Sequence, residues 1–145
     1  DDMTRAEFAK IIVNAMELDL NKYSGSFEDV KAGDWFADYV QTAFDNKLIE
    51  GKVAGKVFDP NGKITREEMM TIIGRAIGKE GAADADTILK SFKDGDKVSS
   101  YAKEYVSLLI EEKLVNGYPD GTLKPANSIT RAEAAKIVYG FYNYY

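Results

Sequence analysis

Apolar residues recur with the same spacing after three threonines, Thr4, Thr65 and Thr130. They lie 4, 7, 8, 11 and 12 positions beyond each threonine, a spacing that puts them on one face of an α-helix. In the first copy they are Phe8, Ile11, Ile12, Ala15 and Met16. The pattern therefore predicts three equivalent amphipathic helices.

A glutamate follows each of these threonines three positions later. The pairs are Thr4 with Glu7, Thr65 with Glu68, and Thr130 with Glu133. Thr-x-x-Glu is the spacing of a capping box, in which the two residues satisfy each other's backbone N–H groups at a helix start. The three helices are thus expected to begin at the threonines.

A second pattern, Phe-x-Asp, occurs in "SFEDV" at 26–30 and in "SFKDG" at 91–95. Each copy is followed by a helical apolar pattern, by a glycine where a left-handed residue is expected to end the helix, and by a turn-rich loop. The aspartates are expected to cap the next helix or turn. The linker before the second copy predicts a short helical turn at 85–89.

The chain thus contains one repeated unit: Phe-x-Asp, helix, glycine, loop, capping box, helix. The predicted motifs are residues 1–20, which hold only a second half, then 26–80 and 91–145. Together they would form one all-α domain over residues 1–145.

An arginine follows the threonine in every copy: Arg5, Arg66 and Arg131. A cation in the first turn of a helix opposes the helix dipole, so capping does not explain these residues. Two explanations remain open. Each arginine pairs with a carboxylate elsewhere in the fold, or it binds an external anion together with the helix N-terminus.

Composition removes several classes of function. The chain of 145 residues is 45% hydrophobic and 30% charged, as in globular proteins, and it contains neither cysteine nor histidine. Thiol and imidazole nucleophiles and the usual zinc ligands are therefore missing, and no metal or other cofactor is predicted. A net charge of −5 argues against nucleic-acid binding, and no apolar run is long enough to predict membrane insertion.

Taken together, the motifs resemble the S-layer homology family. The closest stretch is "NGYPDGTLKPANSITRAEAAKIV" at 116–138, and "SFEDV…W…FDPNGKITREE" is a second. The resemblance implies a pseudo-threefold array of helix–loop–helix repeats around a central three-helix bundle. It also implies a secreted, non-enzymatic module that holds a surface protein on the bacterial cell wall or S-layer. The implied partner is secondary cell-wall polysaccharide, often pyruvylated, bound in grooves between motifs.

The resemblance also implies roles for particular residues. The anion contacts would be Arg5, Arg66 and Arg131, and the sugar-facing aromatics Trp35 and Tyr101; Gly51, Gly117 and Tyr118 would line the rim. Packing offers another explanation for the aromatic residues, because an aromatic at the start of an amphipathic helix is often buried.

Departures from the family pattern predict unequal sites. Glu67 stands where alanine is usual and is expected to repel a carboxylate near Arg66. The grooves would pair Arg5 with Trp35 and Arg66 with Tyr101, with the first binding more strongly. An alternative function is protein–protein assembly, with self-association through the incomplete first motif. A glycan-cleaving enzyme is disfavoured, since no carboxylate pair has a spacing that marks it as catalytic.

Overall fold

A computed structural model describes residues 1–144, and this part of the chain is all-α. It contains six α-helices, one short 3-10 helix and three isolated β-bridges, with no strand among the described residues. The α-helices are α1 (Arg5–Ala15), α2 (Ala37–Asp45), α3 (Arg66–Ile77), α4 (Ala85–Leu89), α5 (Lys103–Glu111) and α6 (Arg131–Tyr144), and the 3-10 helix is Gly95–Lys97. The all-α prediction is confirmed, including the turn at 85–89, whereas the pseudo-threefold arrangement remains a prediction.

The capping boxes form as predicted. At α1, the Glu7 N–H donates to Thr4 Oγ1 over 3.1 Å, and the Thr4 N–H donates to Glu7 Oε1 over 2.9 Å. The same reciprocal bonds occur at α3 and at α6. Local sequence alone therefore sets these three helix starts.

The chain divides into two compact units, residues 1–64 and a second that begins at Thr65. In the first unit α1 packs against α2, and in the second α5 packs against both α3 and α4. In each unit, a capping-box helix is thus joined to the Phe-x-Asp segment that follows it in sequence. The predicted motif boundaries at 1–20, 26–80 and 91–145 describe the repeat in the sequence and remain a prediction.

The buried face of α1 is rotated from the one predicted. Phe8 and Ile12 are buried as expected, but Ala9 and Val13 complete the face, while Ile11 stays partly exposed. The rotation follows from what covers the helix, because the loop of the same unit lies against its first turn. Apolar spacing alone does not reveal that loop.

The two glycines after α2 and α5 do not end those helices. Lys47 and Lys113, both with φ of 62°, take the left-handed position there instead. Close approach explains Gly51, where a Cβ would lie 2.7 Å from Phe27 Cε1, and contributes at Gly117, where it would lie 2.8 Å from Phe92 Cε1. Gly117 also has the expected left-handed backbone, with φ of 79°. Each therefore lets the Phe-x-Asp ring pack directly on the backbone.

Candidate functional site

One loop residue of the first unit, Phe58, is held from both sides of its backbone. Its N–H donates to Asp29 Oδ1 over 2.8 Å, and its carbonyl accepts from Arg5 Nε over 2.8 Å. The next N–H, that of Asp59, donates to Asp29 Oδ2 over 2.8 Å. We call this arrangement, an aspartate and an arginine holding one loop residue, the clasp.

The first turn of α1 is also tied to this loop. The Arg5 N–H donates to the Gly62 carbonyl over 2.9 Å, and the Ala6 N–H donates to the Pro60 carbonyl over 3.0 Å. Thr4 and Lys63 form an isolated β-bridge beside them. Helix N–H groups that would otherwise be available to an anion are therefore satisfied by loop carbonyls.

The second unit repeats the clasp around Leu123. The Arg66 Nε donates to the Leu123 carbonyl over 2.9 Å, and the Leu123 N–H donates to Asp94 Oδ1 over 2.8 Å. The Lys124 N–H donates to Asp94 Oδ2 over 2.9 Å. The first N–H groups of α3 donate to loop carbonyls as well.

The expectation for the Phe-x-Asp aspartates was wrong. Asp29 and Asp94 do not cap the next helix or turn, but accept from loop N–H groups 29 and 30 residues further along the chain. A carboxylate has two oxygens and binds two successive N–H groups well, so a distant loop competes successfully with a local cap. The nearly constant distance from each Phe-x-Asp to its loop was the available signal.

Arg5 and Arg66 are 7% and 5% exposed. Besides the clasp, Arg66 forms an ion pair, with Nη1 3.1 Å from Glu133 Oε2. Of the two explanations that the sequence left open, an internal carboxylate partner therefore applies to Arg66. Arg131, the equivalent residue of α6, is exposed.

Tyr118 lies between two cations in the second unit. Its ring centroid is 4.7 Å from Arg66 Cζ and 4.4 Å from Lys124 Nζ, within cation–π range, and its hydroxyl donates to Glu133 Oε2 over 2.8 Å. Burial and the bond to Glu133 raise the pKa of Tyr118, although the charge of Arg66 opposes the change.

Glu133 responds in the opposite direction. Burial alone would raise the pKa of its carboxyl, but hydrogen bonds from Tyr118 and Thr130, together with the charge of Arg66, outweigh burial and lower it. The carboxylate therefore stays ionised and keeps its pair with Arg66.

Glu67 does not lie at the exposed site beside the ligand that the sequence led us to expect. It is buried, and its carboxylate accepts from the Ser99 N–H over 2.9 Å and from the Ser99 hydroxyl over 2.6 Å. The Tyr101 hydroxyl lies 3.3 Å from Glu67 Oε2. The expectation that Glu67 lies at an exposed site is thus wrong, and its carboxylate holds the start of the Tyr101 segment. The repulsion of a ligand near Arg66 remains a prediction.

The two predicted sugar-facing aromatics lie on the surface. Trp35 is 58% exposed and Tyr101 is 51% exposed, each shortly before the second helix of its unit. Lys10 of α1 extends over Trp35, with Nζ 5.8 Å from the ring centroid, and over Tyr39 at 5.7 Å. The packing explanation for these two aromatics is therefore wrong.

The predicted site residues divide between the two units. Arg5, Trp35 and Gly51 belong to the first unit, and the remaining ones belong to the second: Arg66, Tyr101, Gly117, Tyr118 and Arg131. Over residues 1–144, no cluster of three or more acidic side chains has a geometry that would hold a metal ion. No helix in that range is long and apolar enough to cross a membrane.

These observations define an all-α module built from a repeated unit. The S-layer homology domain family matches residues 26–70 and 91–135. The chain belongs to this family, whose members are cell-wall anchoring modules of surface proteins, and it contains two of its motifs.

Curated relatives extend the match over nearly the whole chain. An exoglucanase XynX of Acetivibrio thermocellus is 39% identical over 95% of the chain, which spans 13% of that protein. A surface-layer 125 kDa protein of Lysinibacillus sphaericus is 33% identical over 93% of the chain and 11% of its own length. A cellulosome-anchoring protein of Acetivibrio thermocellus is 31% identical over 95% of the chain, which spans 31% of it. The chain thus corresponds to a minor part of each relative.

Proposed function

We propose that this chain attaches a surface protein to the bacterial cell wall by binding a polysaccharide that carries carboxylate groups, such as pyruvate ketals. Family membership supports the attachment, as does the name of the cellulosome-anchoring relative. The enzymatic name of the exoglucanase relative belongs to a protein of which the chain spans 13%, so we propose no catalytic role for this module.

The observation that carries the proposal is the exposure of Trp35 and Tyr101 at equivalent positions of the two units. Burying a large aromatic ring lowers the free energy of the protein. Two exposed rings at the equivalent position of both units therefore point to a partner that covers them. The apolar face of a sugar ring, or the methyl group of a pyruvate ketal, suits such a surface.

The first unit combines its ring with an exposed cation. Lys10 is exposed and lies beside Trp35, whereas the equivalent residue of α3, Thr71, is buried and donates its hydroxyl to the Glu67 carbonyl. We therefore propose that the first unit binds the carboxylated sugar more strongly, with Lys10 as the anion contact next to Trp35. The sequence also predicted stronger binding by the first unit, but it did so because of Glu67 beside Arg66 and not because of Lys10.

In this proposal the arginines have a structural role as well as a proposed binding role. Arg5 and Arg66 hold the loops through the clasp and add positive potential beneath them, and direct contact with the anion stays a proposal for both. Arg131, which is exposed, is proposed as a contact that the ligand reaches directly. Close to the clasp, Gly51, Gly117 and Tyr118 are proposed to line the rim.

Binding to purified cell-wall sacculi, before and after the polysaccharide is stripped, tests the proposal. We expect Trp35→Ala to weaken binding about tenfold, the loss of roughly 1.4 kcal/mol. Tyr101→Ala should have a smaller effect, and Tyr139→Ala, which removes an exposed aromatic of α6, serves as the matched control. Equal binding to stripped sacculi would contradict a polysaccharide ligand.

A salt series tests the anion contact. Binding should weaken with salt because a surface contact between Lys10 and a carboxylate is screened. Lys10→Ala should reduce that salt dependence, whereas Lys47→Ala, which removes an exposed lysine elsewhere in the first unit, should not. A salt dependence unchanged in Lys10→Ala would exclude Lys10 from the site.

A further inference from the structure

The two exposed rings that we propose to face the sugar have neighbours of opposite charge. Lys10 lies over Trp35 in the first unit, whereas Glu67 reaches Tyr101 in the second, with its Oε2 atom 3.3 Å from the ring hydroxyl. The residue equivalent to Glu67 in α1 is Ala6, which is buried and carries no charge. The second unit thus places a carboxylate beside its exposed ring, and the first unit places an ammonium group beside its own.

The turn before Trp35 is held by its own sequence. The Lys31 N–H donates to Asp34 Oδ2 over 2.8 Å, and the Asp34 carbonyl accepts from the Ala37 N–H at the start of α2 over 3.0 Å. All of these partners lie between residues 31 and 37, so the position of Trp35 is set locally.

The turn that carries Tyr101 is held from outside, by α3. The Ser99 carbonyl accepts from the Ala102 N–H over 2.9 Å, which closes the turn, and both the N–H and the hydroxyl of Ser99 donate to the Glu67 carboxylate. A backbone N–H and a hydroxyl side by side are donors that an external carboxylate would use. Glu67 therefore takes the place of a bound anion at this turn.

Burial makes the charge of Glu67 effective at short range. Glu67 is 8% exposed, and the groups that donate to its carboxylate are neutral. Salt and water screen a buried charge less than a charge on the surface. The negative charge of Glu67 therefore acts on the space around Tyr101, which is half exposed.

We propose that Glu67 fits the second unit to an uncharged sugar of the polysaccharide, with its carboxylate acting as a built-in anion that holds Tyr101 in place. The assignment of a different sugar to each unit rests on the proposed function, in which Lys10 attracts a carboxylate beside Trp35. In the second unit, a ligand carboxylate beside Tyr101 would be repelled by Glu67 and would find the Ser99 donors already in use. The hydroxyl groups of an uncharged sugar meet no such repulsion.

Residue-resolved titrations separate the two units. The probes are a methyl hexoside that carries a pyruvate ketal and the same hexoside without the ketal, and amide NMR shifts over 31–40 and 97–106 report binding at each unit. In the original chain we expect the ketal to strengthen binding at the first unit and to weaken it at the second. Glu67→Gln, which keeps an acceptor for Ser99 but removes the charge, should strengthen binding of the ketal probe at the second unit by about fivefold.

Two further variants distinguish charge from positioning. Glu111→Gln removes an exposed carboxylate at the end of α5 and should leave both titrations unchanged. Tyr101→Phe keeps the ring but breaks its contact with Glu67, so it should weaken binding of the uncharged probe at the second unit by about threefold.

Three results would overturn the proposal: a ketal that strengthens binding at both units of the original chain, an unchanged preference for the uncharged probe in Glu67→Gln, or unchanged binding in Tyr101→Phe. Failure of the ketal probe to bind at the first unit is a different result. It would contradict the proposed function, and the assignment of sugars to the two units with it.

Discussion

The two loops have the same backbone clasp in different surroundings. In both, an aspartate holds two successive N–H groups and an arginine holds the carbonyl between them. The residue after the clasped one has a left-handed backbone in each, Asp59 with φ of 59° and Lys124 with φ of 50°. The backbone is thus common to both units, while the side chains differ.

Two loop positions show the difference. In the first unit they hold Lys52 and Asp59, whose ion pair of 3.2 Å is about half exposed. In the second they hold Tyr118 and Lys124, which form a cation–π contact and connect through Glu133 to Arg66. Besides its clasp, the second loop is therefore joined to α3 and α6 by partly buried side chains, whereas the first has only an exposed ion pair at these two positions.

The largest expected effect comes from opening a clasp. Asp94→Ala leaves the N–H of fully buried Leu123 without its charged acceptor and should lower the free energy of unfolding by about 3 kcal/mol. Asp29→Ala should cost less, because the Asp29 side is more exposed. Denaturant unfolding measures both. Similar stability of the Asp94→Ala variant and the original chain would show that the loop holds without its clasp.

The second comparison concerns the arginines. Arg66→Ala removes a bond to a carbonyl and leaves Glu133 without its ion pair, so we expect a loss of about 2 kcal/mol. Arg131→Ala, on the exposed helix, should change stability by no more than about 0.5 kcal/mol. Equal losses in thermal unfolding would mean that burial does not distinguish these residues.

A smaller effect is expected from a single hydroxyl. Tyr118→Phe keeps the ring between its two cations but removes the bond to Glu133, at a cost of about 1 kcal/mol. Its counterpart Lys52→Met removes only an exposed ion pair and should stay within about 0.5 kcal/mol. Amide exchange of the two loops, compared in each variant, shows whether the second loop depends more on side chains. An equal change in amide exchange in the two variants would show that the two loops depend on these side chains to the same extent.

The smallest effect is on pH dependence. The pKa of Glu133 is lower in the folded chain, so its contribution to stability is present above its unfolded pKa of about 4.3 and is lost as the pH falls through the folded pKa. Acid should therefore loosen the second loop before the first. The Glu133→Gln variant should lose this pH dependence of amide exchange, which is expected at pH values below about 4.3. If this variant and the original chain had the same pH profile of amide exchange, the titrating group would be a residue other than Glu133.

Local features were predictable because their partners lie within a few residues. The helix starts follow from a threonine and a glutamate three positions apart, and helix α4 was predicted as a short helical turn in the linker. The exposure of Trp35 and Tyr101 agreed with the family resemblance, although the apolar pattern gave burial as the alternative. The sequence by itself thus determined the all-α class, the repeat and where the capping-box helices begin.

Tertiary structure decided what the arginines and aspartates do. Arg5 reaches a carbonyl 53 residues away and Arg66 one 57 residues away, while the aspartates bind loops 29 and 30 residues later. Such bonds form only after the helices have packed, because closing long stretches of chain costs entropy that local contacts do not offset. Sequence spacing therefore shows that these residues recur, and only the packed loop shows that a helix-start arginine holds a carbonyl beneath the surface.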